Sequence, residues 1–148
     1  KRLFAFFIFL KRDGESRVFP ALSNCANLFD MSQNFQPGDF LIFQIESGYG
    51  LLRILDIVQT EDDTVWHLAS YGEMFLDVET ADAALENSAS LTIDNPHVAL
   101  TTRAFEATQV ARMKNEPLTA KELEGYENWK NSDRKVSDRS IRLMLGLR

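Results

Sequence analysis

Residues 39–59, DFLIFQIESGYGLLRILDIVQ, decide the fold. In Asp39 to Glu46, Leu41, Phe43 and Ile45 alternate with Phe40 and Ile42, the two-residue period of a β-strand. Ser47-Gly48 supplies a tight hairpin turn, because glycine accepts the backbone angles such turns need. The returning run, Tyr49 to Gln59, is apolar on both faces, with Leu51, Leu55 and Ile57 opposite Leu52, Ile54 and Val58. That pattern predicts a central strand covered on both sides. It carries one charge per face, Arg53 and Asp56, and a charge there must be paired or lie near an edge.

Outward from this hairpin, the acidic turn Glu61-Asp62-Asp63 leads into Thr64 to Tyr71, TVWHLASY, a third strand. Three strands joined by short turns predict an antiparallel meander. Thr80 is the expected N-cap of a short helix over 81–86, Ser90 to Ile93 an expected strand, and Asp94-Asn95-Pro96 a turn. His97 to Thr102 then reads as strand and Arg103 to Lys114 as helix, so that 97–115 is open between the two. The clearest local signal is Leu118-Thr119-Ala120-Lys121-Glu122-Leu123. Thr119 and Glu122 make a capping box, with Leu118 and Leu123 as its hydrophobic staple, predicting a helix over 120–130. The terminal SIRLMLGLR leaves 137–147 open between a strand and a helix capped by Ser137 and stopped by Gly146. The fold class is α+β: a small antiparallel meander or barrel followed by C-terminal helices.

The 148 residues suffice for one domain with its own core. The N-terminal stretch KRLFAFFIFLKR has eight apolar residues, Leu3 to Leu10, against the roughly 20 a membrane-spanning helix needs. No A-x-A site follows it, and Leu22-Ser23-Asn24-Cys25 matches a lipoprotein box poorly. We expect residues 1–30 to be an extension outside the natural fold, with a native start at Met31; the alternative is a strand over Leu3 to Phe9. The lone Cys25 points to a reducing, cytoplasmic setting.

Net charge is −6, unevenly spread: residues 31–108 hold thirteen carboxylates against Arg53 and Arg103 alone. Such a block repels phosphates, so nucleic acid is not an expected partner.

The stretch PGDFLIFQIESGYGLLRILDI resembles the opening hairpin of small Src-homology-3-like barrels, in which a P-G-D turn enters one strand and a glycine-rich turn returns it. It is also similar to that region of a toxin-immunity protein family and of plasmid-borne toxin endoribonucleases. The nucleases follow their hairpin with a basic, proline-containing stretch; Gly50-Leu51-Leu52-Arg53 stands here instead, so their chemistry is not carried over. With VWHLASY and VSDRSIRLMLGLR, residues 31–148 resemble an uncharacterised bacterial family.

No metal-ligand spacing, phosphate loop or nucleophile elbow appears, so no metal and no cofactor is expected. His67 and His97 stand thirty positions apart. Three functional readings follow. The first is a non-enzymatic binding domain of immunity or regulatory type, recognising a basic protein through acidic loops. It uses Asp62 and Asp63 in one turn, Glu73 and Asp77 in another segment, and exposed aromatics Tyr49 and Tyr71. The second is a hydrolase or nucleic-acid-processing enzyme with His97 as base and Arg103 and Glu106 beside it, which requires the three to converge. The third is a small-molecule barrel with His67 and Tyr71 in its mouth.

Overall fold

Pro37, Gly38 and Asp39 form the turn that starts the sheet in the computed structural model, which describes residues 34–147. The expectations for Leu3–Leu10, Cys25 and Met31 lie outside the described residues. Gly38, at φ 95°, takes a conformation that costs other residues, and a Cβ there would meet the Glu116 carbonyl at 2.6 Å. Asp39 is fully buried, its carboxylate accepting from the Gln36 N–H at 2.8 Å and the Asn115 side chain at 2.7 Å.

Strand β1 (Asp39–Ile45), β2 (Gly48–Gln59) and β3 (Thr64–Tyr71) pair consecutively and antiparallel, as the alternation predicts. Strand β4 (Ile93–Leu100) adds beside β3, and β5 (Val110–Asn115) returns to the free edge of β1. The order is β4-β3-β2-β1-β5. The sheet is open, with β4 and β5 as its edges, so among the described residues the meander does not close into a barrel.

Helix α1 (Val78–Ala84) runs into a 3₁₀ segment, Leu85–Ser90; α2 is Thr102–Glu106, α3 Ala120–Lys130 and α4 Ile141–Met144. Helix α3 carries its full capping box, as expected. Four local expectations are corrected. Helix α1 begins three residues earlier than 81, because the Asp77 carboxylate, not Thr80, caps it by accepting from the Thr80 N–H at 2.7 Å. Ser90 closes the 3₁₀ segment rather than opening a strand, and Asp94-Asn95-Pro96 lies within β4, where the register slips opposite Ser70. Pro96 is tolerated because β4 is an edge strand. The helix expected over 103–114 stops at Glu106, since β1 leaves an edge of unpaired backbone that Val110–Asn115 fills. Near the C-terminus the chain chooses helix: Ser140 caps α4 and Gly146, at φ 71°, ends it, while Ser137 bonds to β4 instead.

A β-bulge in β2 positions everything that follows. Arg53 faces Ala69 and Ile54 faces Leu68, but the next pair is Asp56 with His67, leaving Leu55 extra. Strict alternation predicts Arg53 and Asp56 on opposite faces. The bulge turns Asp56, and Val58 after it, to the same face as Arg53. That face is covered by α1 and the 3₁₀ segment at one end, where Phe40, Ile42, Leu51, Phe75, Ala81 and Leu85 pack. At the other end α3 covers it, where Leu55, Ala69 and Tyr126 pack with Leu118, Leu123 and Trp129. On the opposite face Trp66 stacks on Phe105 of α2, ring centroids 4.0 Å apart.

Candidate functional site

His67 and His97 are brought together by strand pairing. His67 is in register with Ala99, so His97, two residues away on the same face, is its diagonal neighbour. Nδ1 of His67 and Nε2 of His97 lie 3.0 Å apart, so one ring donates to the other. Tyr126 and Trp129 of α3 pack over both, with ring centroids 4.5 Å and 4.7 Å from His67. The Tyr126 hydroxyl donates to Asp56 at 2.8 Å, and Lys130 stands 4.4 Å over its ring. Burial lowers the His67 pKa to about 4, although Asp56 pulls the other way; burial, then the neighbouring His67, lowers that of His97 to about 4. Both imidazoles are therefore neutral at pH 7. The pair is a hydrogen bond enclosed by aromatic rings, and no three His, Cys, Asp or Glu side chains converge as a metal site among the described residues.

Along the same face, Arg53 anchors the N-terminal half of α3. It is almost fully buried, lies 4.0 Å from the Phe40 ring, and donates to the carbonyls of Gly38 (2.7 Å) and Pro117 (3.0 Å). Its Nε faces Glu122 Oε1 at 3.0 Å as an ion pair. Glu122 also accepts from the Tyr71 hydroxyl at 3.2 Å and from the Thr119 N–H at 2.8 Å. Burial works to raise the Glu122 pKa, but the Thr119 N–H and the Arg53 charge outweigh it and hold it below the usual carboxylate value. The Tyr71 phenol is pushed up by burial and by Glu122.

Two cavities flank these clusters. One, of about 430 Å³, reaches Arg53, Tyr71 and Glu122 and is otherwise lined by Ser88, Leu91 and Glu116, among others. The second, of about 370 Å³, lies by the end of α3 with His67, Tyr126 and Trp129 in its walls and Lys130 and Arg134 among its lining. His67 and Tyr71 thus share a strand face but line different cavities.

The other expected site residues are dispersed. His97 sits on the α3-covered face, whereas Arg103 and Glu106 are exposed on α2, which packs against the opposite face. Arg103 is paired with Asp138. The trio does not converge as a shared catalytic role would require. The acidic residues divide in two: Asp62 and Asp63 precede β3, Glu73 and Asp77 follow it, and eight strand residues at about 3.3 Å each separate them by roughly 25 Å. Asp63 is committed locally, accepting from the Thr64 and Thr102 N–H groups. Tyr71 is buried, not exposed, because β3 is an interior strand.

What remains together is Tyr49, Glu73 and Asp77, joined by residues the alternation did not single out. Tyr49 and Phe75 exchange backbone hydrogen bonds of 2.8 and 2.9 Å, and Gly48 admits this approach, since a Cβ there would sit 2.4 Å from the Phe75 carbonyl oxygen. Phe75 is thereby tucked into the core while its neighbours turn outward: Met74 is 56% exposed, Leu76 84% and Val78 40%. Both Glu73 oxygens accept from the Thr92 N–H, at 2.7 and 3.1 Å. Thr80 bonds hold the Asp77 carboxyl below its ordinary pKa, so it stays charged. The sequence signal for this ridge is GEMFLDVET itself, four apolar residues set among three carboxylates.

No helix among the described residues is long and apolar enough to cross a membrane. No family model, curated protein or solved structure matches the chain.

Proposed function

We propose that this is a non-enzymatic binding domain that docks a basic, amphipathic segment of another protein on the ridge Glu73–Glu79. One observation carries the reading: Leu76, 84% exposed, stands between Met74 and Val78 on a backbone pinned to β2. Scattered exposed apolar residues are ordinary, but three within five positions on a fixed segment form a ready contact. Charge defines the occupant. Glu73, Asp77, Glu79 and Asp82 flank the apolar side chains along the chain, and no Lys or Arg occurs between Arg53 and Arg103. A partner with apolar anchors flanked by Lys or Arg matches both properties, and electrostatic steering favours it over acidic competitors. The resemblance of the opening hairpin to immunity proteins agrees with a neutralising or regulatory role. Asp62 and Asp63 contribute only to the long-range field.

The test is selection of binders from a displayed random-peptide library against the full chain. Peptides carrying Lys or Arg around an apolar anchor, bound less tightly as salt rises, support the reading. Acidic or uncharged peptides, or binding indifferent to salt, would sink it.

A further inference from the structure

The cavity at the end of α3 has walls that suit one kind of small molecule. Val58 and Val65, direct partners across β2 and β3, give it one apolar wall and Val136 another. Trp129 supplies an aromatic side and His67 a polar one. Its charged lining residues are Lys130 and Arg134, with no carboxylate among them. Glu127 pairs with Lys130 at 2.9 Å from outside the lining. At about 370 Å³ the space is near the lower end of the range of roughly 300–1,000 Å³ for ligand pockets. It holds a one- or two-ring molecule, not a folded segment.

The rim is constructed rather than left over from packing. After α3 the chain reverses, and Arg134 takes φ 55°, the single positive φ among described non-glycine residues. Its Nε donates to the Lys130 carbonyl at 2.9 Å, and the Trp129 indole N–H donates to the Lys135 carbonyl at 2.8 Å. Ser137 then bonds to Ala99 and Thr101 of the β4 end, at 2.8 and 3.0 Å, which fixes Val136 between two tied points. Glycine or asparagine makes a left-handed turn at lower cost. An arginine held there against its backbone preference is expected where its guanidinium has a task.

We propose that this cavity binds a small planar carboxylate, its ring seated between Trp129 and the valines and its carboxylate held by Arg134 and Lys130. Two cationic residues and no carboxylate in one apolar lining favour an anion over a neutral isostere, and a charge-assisted bond is about twice as strong as a neutral one. The inference is independent of the docking ridge, which uses none of these residues.

The test uses the full chain and four probes: 2-naphthoate, benzoate, benzamide and benzylamine, followed by calorimetry and by amide and indole NMR shifts. Both carboxylates should move the Trp129 indole N–H and leave that of Trp66, stacked on the opposite face, unmoved. Benzamide should bind about tenfold more weakly or worse, and benzylamine not at all. Arg134→Gly separates the site from the scaffold: it relieves the left-handed backbone, so Tm holds or rises, while 2-naphthoate affinity falls by about tenfold or more. Absence of a Trp129 shift at millimolar 2-naphthoate would overturn the proposal. So would equal binding of amide and carboxylate, or unchanged affinity in Arg134→Gly.

Discussion

His67 and His97, thirty residues apart in the chain, share a 3.0 Å hydrogen bond beneath Tyr126 and Trp129. Both are neutral in the folded protein, with pKa values of about 4 against about 6.5 in an unfolded chain. Between those values the unfolded state binds more protons. Their contribution to stability is therefore complete above pH 6.5 and lost as pH falls toward 4, each with a slope of up to about 1.4 kcal/mol per pH unit. NMR titration should place both imidazole midpoints below 5. In His97→Gln the fall of Tm between pH 6.5 and 4.5 should be shallower than in the wild type; equal slopes would show that the pair is not buried as described.

Arg53 and Glu122 hold α3 onto the sheet. Glu122→Ala leaves a buried guanidinium facing Tyr71 and two carbonyls, and should cost about 3–5 kcal/mol, read as a large drop in the denaturation midpoint. Arg53→Lys should not rescue the fold, since an ammonium cannot span the Gly38, Pro117 and Glu122 acceptors from one position. A near-wild-type midpoint in either variant would contradict the arrangement.

Gly125 lies inside α3, where alanine is ordinarily stabilising by roughly 0.5–1 kcal/mol. Here a Cβ would meet Pro96 of β4 at 2.8 Å, including its carbonyl oxygen. Gly125→Ala should therefore lower Tm, reversing the sign expected of an exposed helix, and a raised Tm would refute the close contact.

Local rules carried the sequence reading as far as they reach. The meander β1–β3 was legible because alternation and turn chemistry agree, and α3 because its capping box is written in six residues. The Leu55 bulge was not: it reverses which of Ile57 and Val58 faces α3, and nothing in YGLLRILDIVQ marks a register slip. Strand β5 was hidden by helix-compatible residues that a free sheet edge recruits. The His67–His97 pair required knowing that β4 lies beside β3, after which the shared face follows. Of the acidic residues, composition gave the charge but not its division between the two ends of β3.

The central claim is the basic partner on the Glu73–Glu79 ridge, and the most direct measurement is the Kd of a library-selected basic peptide for the wild type, Leu76→Ser and Glu79→Lys. Both side chains are exposed, so Leu76→Ser should keep the wild-type Tm and Glu79→Lys, which puts a cation in the first turn of α1, should lower it only slightly. The account predicts binding weakened about tenfold or more in each. Unchanged Kd values in both variants would contradict it.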